Sequence, residues 1–216
     1  MLYILNTPDL RPVRADKING NMKTKQQDIL KEAVKLAPFE GWNTHTLEKA
    51  ALAAGLDKGY EQIAFTGGIA DLVDYFIRHL DDKMLKKAAK NDILKMKIRE
   101  RIPYLVKCRL EESAEYKSAL RKTVSYYTNP INAAEGTKSL WKTVDCMWYA
   151  AGDDASDFNY YTKRMTLAAV YSSTLLYWLK DDSENHQKTW EFLDRRIGNV
   201  MSFHKTKAKF SDILKR

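Results

Sequence analysis

In "QQDILKEAVKLAPFEGW" the apolar residues Ile29, Leu30, Ala33, Val34 and Ala37 recur at steps of three and four, the spacing of one face of an α-helix. Pro38 and Gly41 are expected to end that helix. The stretch "THTLEKAALAAG" reads as an alanine-rich helix with Thr44 or Thr46 as its N-cap and Gly55 as its stop. A short helix is expected in "LDKGYEQIAF". After Gly67 and Gly68, the set Ile69, Leu72, Val73, Phe76 and Leu80 lays one apolar stripe along a longer helix. Beyond residue 90 the same period predicts helices over roughly 93–112, 114–128, 132–151, 158–180 and 184–207, broken at "TNP" and "AGDDASD". Pro103 is expected near a helix start or at a kink. The fold class is all-α.

The first 21 residues lack this period and read as a poorly ordered leader or tail, or as sequence upstream of a true start at Met22. Asp9 and Asp16 argue against a transit peptide, which should be poor in acids. The expected organisation is a leader over 1–21, an N-terminal domain over 22–80, a second helical domain over 81–207 and a basic tail over 208–216.

Charge adds a direction. The formal net charge is +8, and it is segregated: residues 83–122 hold thirteen Lys or Arg against five Asp or Glu, and residues 195–216 hold seven against one. Such stretches are either solvated helix faces or surfaces for an anionic partner, nucleic acid or an acidic membrane. The two cysteines, Cys108 and Cys146, form no C-x-x-C motif, so neither a zinc knuckle nor a disulfide framework is indicated, and a reducing compartment fits best. The longest apolar run, "LAAVYSSTLLYWL", is broken by hydroxyls and falls short of the roughly 20 residues of a membrane span.

Catalytic constellations are missing. None of His45, His79, His186 and His204 follows a Glu by three positions, so the Glu-x-x-His pairs of a helical di-iron site do not occur. There is no G-x-S-x-G, H-E-x-x-H or Gly-rich phosphate loop. Neither a catalytic residue nor a metal ligand is expected.

Helix, tight Gly turn, short helix is the sequence shape of a helix-turn-helix. "AAGLDKG" with "FTGGIADL" resembles the N-terminal domain of TetR-type regulators over roughly residues 26–75. A recognition helix must bring cations and donors to phosphates and base edges. Here Lys58 is accompanied by Asp57 and Glu61, and Gly68 stands where that pattern usually has Lys, so DNA is not the expected partner. A scaffold that no longer reads DNA fits better, with a ligand-responsive regulator as the alternative.

Four of the five tryptophans lie between Trp141 and Trp190, where such a fold would place its ligand-binding and dimerisation domain. Leu140, Val144, Met147 and Ala151 share one helix face, and Met165, Ala168, Ala169, Ser172 and Leu175 mix small side chains with large ones on the next helix. Small residues between bulky walls either leave room for a hydrophobic guest or let helices pack closely. The candidate guest-facing set is Leu140, Val144, Met165, Ala168, Ala169, Ser172 and Leu175. Downstream of "AGDDASD", Asp157 or Ser156 is expected to cap the next helix. Tyr160 and Tyr161 diverge by about 100° on that helix, so both rings cannot enter one core. One is expected outside, beside Lys163 and Arg164, in the composition of an interface hot spot.

The string "VDCMWYAAGDDASDFNYYTKR", followed by "LAAVYSSTLLYWLKD" and "TWEFLDRRI", resembles the ubiquinone-biosynthesis accessory family conventionally numbered ninth in the coenzyme Q pathway. The likeness runs from about residue 22 to 205 and is strongest from Val144 to Asp181. It implies a TetR-like all-helical homodimer without catalysis of its own and without a cofactor. Such a protein binds isoprenoid or phospholipid in its C-terminal domain and presents a quinone precursor to the di-iron demethoxyubiquinone hydroxylase. The resemblance implies a partner-facing patch of Asp145, Met147, Trp148, Asp157, Tyr160, Tyr161 and Arg164. It also implies a site peripheral to the inner membrane, on the cytoplasmic side in a bacterium or the matrix side in a mitochondrion. Tyr160 stands where many members have Trp, which keeps the ring but adds a hydroxyl. Longer members end in an amphipathic membrane helix, whereas this sequence ends after "KTKAKFSDILKR", so contact with an anionic membrane is expected to lean on the basic tail.

Overall fold

The computed structural model describes residues 13–153 and 158–214, with side chains described over 21–97, 99–153 and 159–200. The described residues contain α-helices, short 3-10 turns and no strand. The chain divides between Leu72 and Val73 into two compact units.

The first unit is built on α1 (Val13–Glu40), α2 (Thr44–Ala53) and α3 (Tyr60–Ala64). Helix α1 begins upstream of Gln26, inside the stretch read as a leader, and it runs through Pro38. The break comes instead at Gly41, whose φ of 75° is open to glycine at little cost and whose N–H closes on the Ala37 carbonyl at 2.9 Å. Asn43, not Thr44 or Thr46, caps α2: its Oδ1 accepts from the Thr46 N–H at 2.9 Å, while the Thr46 hydroxyl donates to the Gly41 carbonyl. Asn caps as well as Thr does, so the Asn-Thr-His-Thr run offered three starts and the turn geometry selected the first. Ile29, Leu30, Ala33 and Ala37 of α1 bury against the α2 face that carries Leu47, Ala50 and Ala51. Lys58 and Asp57 are exposed before α3, but Glu61 is turned inward, so only one of the two acids read as facing a polyanion faces solvent.

The division falls inside α4 (Ile69–Lys90), whose first turn is tied by the Asp71 carboxylate accepting from the Gly67 N–H. The second unit continues with α5 (Ile98–Glu111), α6 (Lys117–Thr128), α7 (Ala133–Ala150), α8 (Phe158–Lys180) and α9 (Gln187–Leu214). The segment expected as one helix over 93–112 is split: a 3-10 turn at Ile93–Lys95 precedes α5. Arg101 explains the break. Its guanidinium donates to the carbonyls of Leu94, Met96 and Ala151, satisfying backbone acceptors that an uninterrupted helix would have used and tying α5 to the end of α7. Pro103 sits in the early part of α5 and does not stop it.

Helix α5 packs against α7, α8 and α9. Its buried face carries Ile102, Leu105, Val106 and Arg109. Arg109 is 0% exposed and survives burial because it is paired: Nε donates to Asp81 Oδ1 at 2.8 Å, and the other Asp81 oxygen takes Arg78 at 2.9 Å and the Thr143 hydroxyl at 3.1 Å. This network locks α4, α5 and α7 to one another. Cys108 and Cys146 are free thiols. No helix among the described residues is long and apolar enough to cross a membrane.

Candidate functional site

Helix α8 has two distinct faces. One carries Leu167, Val170, Tyr171 and Trp178, all buried. The other carries Met165, 66% exposed, and Leu176, 51% exposed, with Ala169 exposed between them. The inward face borders a cavity of about 490 Å³, of the size that takes small-molecule ligands. Its α8 wall is Asn159, Thr162, Lys163, Thr166, Leu167 and Val170; α5 contributes Arg99, Ile102 and Pro103, α9 contributes Ile197 and Val200, and Trp148 and Asp153 close the α7 end.

None of the seven residues read as guest-facing lines this cavity. Leu140 and Leu175 line a separate cavity of about 80 Å³ beside Arg109, Thr143 and Tyr171, and Val144 is core. Met165, Ala168, Ala169 and Ser172 lie on the side of α8 turned away from the larger cavity. The periodicity found a helix with small and large side chains mixed, but both of its faces have that character. Ile102, Pro103, Ile197 and Val200 escaped the sequence reading because their helices are charged and amphipathic, which reads as ordinary core packing.

At the α7–α8 junction the geometry gathers a second group. The Tyr160 hydroxyl donates to Asp145 Oδ1 at 3.0 Å, and Arg164 Nε donates to the same oxygen at 2.5 Å. The Arg164 guanidinium lies 3.4 Å from the Tyr160 ring centroid and also reaches Asp153 Oδ2 at 3.3 Å. Lys163 donates to Asp153 Oδ1 at 2.5 Å with its ammonium 5.5 Å from the Trp148 ring centroid. Burial by itself raises the Asp153 pKa, but the hydrogen bonds and charges of Lys163 and Arg164 outweigh it and hold the carboxyl below its ordinary value. The Asp145 carboxylate, as hydrogen-bond acceptor, holds the Tyr160 phenol above its ordinary value.

Of the partner-facing set, Asp145, Tyr160 and Arg164 are brought into direct contact, and Tyr161 stands outside at 59% exposure. Arg164 itself is only 3% exposed, so it positions Tyr160 and Asp145 from beneath. Met147 is fully buried and does not reach the surface. Trp148, the next residue, is half-buried in the cavity wall. Asp157, like Ser156, lies outside the described residues. A contiguous motif necessarily samples every side of a helix, and the pattern match could not separate the sides. Trp141 joins the group unannounced, its ring centroid 6.4 Å from that of Tyr160 and 6.2 Å from that of Tyr161. Its signal was present in the spacing: Trp141 and Asp145 are four residues apart, on one side of α7. Among the described residues, no group of three or more His, Cys, Asp or Glu is disposed to hold a metal ion.

The model of the COQ9 family matches residues 133–204, the segment that holds the α7–α8 junction. The mitochondrial ubiquinone biosynthesis protein COQ9 of Rattus norvegicus is 29% identical over 188 residues, covering 84% of this chain and 60% of the relative. Its Homo sapiens counterpart is 28% identical over 188 residues, covering 84% and 59%, and that of Drosophila melanogaster is 30% identical over 177 residues, covering 80% and 54%. The chain thus spans about 60% of the length of the first of these relatives. Among solved structures, the TetR transcriptional regulator from Nitrosomonas europaea ATCC 19718 superposes with a TM-score of 0.65 at 22% identity, covering 81% of this chain and 97% of that one. That likeness shows a TetR-like all-helical fold, and in sequence the chain is similar to the COQ9 ubiquinone biosynthesis proteins over most of its own length.

Proposed function

We propose that this chain is a lipid-binding accessory protein of ubiquinone biosynthesis. It holds an isoprenoid quinone precursor in the cavity between α5, α8 and α9 and presents it to a di-iron demethoxyubiquinone hydroxylase, contributing no catalysis of its own. One observation carries this reading. The cavity and the Tyr160–Asp145–Arg164 group meet at Asp153, which lines the cavity beside Lys163 and also pairs with Arg164. A guest behind that junction and a partner in front of it are separated by one layer of side chains.

The names of the relatives support the pathway, since each is a ubiquinone biosynthesis protein, and each is described as mitochondrial. In this reading the iron belongs to the partner, and Tyr161 with its neighbours forms the docking patch. A second copy of the chain covers the exposed Met165–Leu176 face of α8, giving a homodimer. The cationic residues from 195 onward face an anionic membrane, at the matrix side of the inner membrane in a mitochondrion or the cytoplasmic side in a bacterium.

Native mass spectrometry of the purified protein, with lipid extraction, tests the core of the proposal. Prenylated quinone or phospholipid should leave with the protein. Preparations that are repeatedly empty and take up no prenylated quinone on addition would overturn it.

A further inference from the structure

The large cavity has a closed end. One turn beyond its lining residues, the same faces of three helices become solid core: Val106 follows Ile102 on α5, Thr174 follows Val170 on α8, and Leu193 precedes Ile197 on α9, all of them buried. At the other end the lining residues Arg99 and Asn159 are exposed, and Lys163, one turn in from Asn159, pairs with Asp153. The walls therefore run from a polar, solvent-exposed mouth to an apolar floor. We infer that this cavity takes a prenyl tail end-first to a fixed depth of about three isoprenoid units, and that tail length beyond the third unit adds nothing to binding. The inference deepens the reading of the cavity as a lipid site and rests on it.

Two measures give the depth. The α8 wall runs from Asn159 to Val170, about 16 Å of helix. An extended chain advances about 1.2 Å per skeletal bond, so an isoprenoid unit of four such bonds takes up about 5 Å, and about three units span the wall. Volume gives the same answer. A carbon-sized group fills about as much space as a water, roughly 30 Å³, so the cavity of about 490 Å³ holds roughly sixteen of them, again about three five-carbon units. Polarity sets the direction of entry. At the floor Ile102, Leu167, Val170 and Ile197 present no side-chain partner to a carbonyl or hydroxyl, whereas the mouth leaves such a head hydrated beside Asn159 and Lys163. Asp153 at that mouth accepts from Lys163 on one oxygen and from Arg164 on the other. A tail of three units thus seats its head directly behind the α7–α8 junction, and a longer tail holds the head farther out.

The test titrates full-length, delipidated protein with linear prenyl alcohols of one, two, three and four isoprenoid units by calorimetry, each below its aggregation concentration. Affinity should rise roughly tenfold or more with the second unit and again with the third, as each buries five further carbons, and change by less than about threefold with the fourth. Val170→Phe raises the floor and should move that break from three units to two. An affinity that climbs as steeply at the fourth unit as at the third, or a break that Val170→Phe leaves in place, would overturn the fixed depth while the cavity reading stands. If no prenyl alcohol binds, both fall. Should Val170→Phe fail to fold, Ile197→Phe narrows the floor from the α9 side, and the length series on the unsubstituted protein decides even without either variant.

Discussion

Val170→Phe separates a functional cavity from a loosely packed core. Val170 is buried on α8 and lines the cavity of about 490 Å³. That space is partly open to solvent and far exceeds the roughly 30 Å³ share of one water. The space is therefore filled in solution, by a guest or by water, and a larger side chain entering it displaces that content without straining its neighbours. In a solid core the same substitution overpacks and costs about 1–3 kcal/mol. At roughly 2–4 °C per kcal/mol for a chain of this size, overpacking would lower Tm by about 2–12 °C. The expectation is a Tm of the guest-free protein that does not fall, together with a loss of co-purifying lipid measured by extraction and mass spectrometry. A Tm lowered by more than about 4 °C with lipid content unchanged would refute the reasoning, because it would mean that nothing occupies the space beside Val170.

Other substitutions probe the remaining parts. Tyr161→Ala removes an exposed ring and should leave thermal stability within about 0.5 kcal/mol while weakening hydroxylase binding by roughly 2 kcal/mol or more, read by surface plasmon resonance; unchanged binding would remove the docking patch. Asp81→Asn strips the carboxylate from the buried Arg109 and from Arg78 and should cost about 3–5 kcal/mol in denaturant unfolding, whereas a loss under about 0.5 kcal/mol would show that the network is not locking α4, α5 and α7. Burial raises the Asp181 pKa, but hydrogen bonds from the Ser183 N–H and from the Thr189 N–H and hydroxyl prevail and hold it well below its ordinary value. Because the folded value is the depressed one, this stabilisation is complete above about pH 4 and disappears as pH falls through the folded value. Asp181→Asn should accordingly flatten the pH dependence of stability below about pH 4, and an unaltered profile would contradict it. Gel-shift titration at near-physiological salt should show no sequence-selective DNA retention, and selective retention would favour a regulator.

Periodicity alone determined that this chain is helical, and it located the α1 stripe at Ile29, Ala33 and Ala37, the α4 stripe at Leu72, Val73, Phe76 and Leu80, and the break before α8. Those features are local, fixed by 3.6-residue spacing and by turn-forming residues such as Gly41 and Gly55. Asp145, Tyr160, Tyr161 and Arg164 were also legible, because the motif that contains them is irregular enough to recognise without any structure. The inward face of α8 was not legible. Met165, Ala168, Ala169 and Ser172 satisfy the same helical spacing as Leu167 and Val170, and no single-helix pattern records which side its neighbours cover. That choice is made by α5 and α9, whose Ile102, Pro103, Ile197 and Val200 approach one side of α8 and leave the other exposed. The same holds for Trp148: a sequence shows an aromatic residue in a motif, but only packing places it in the wall of the cavity.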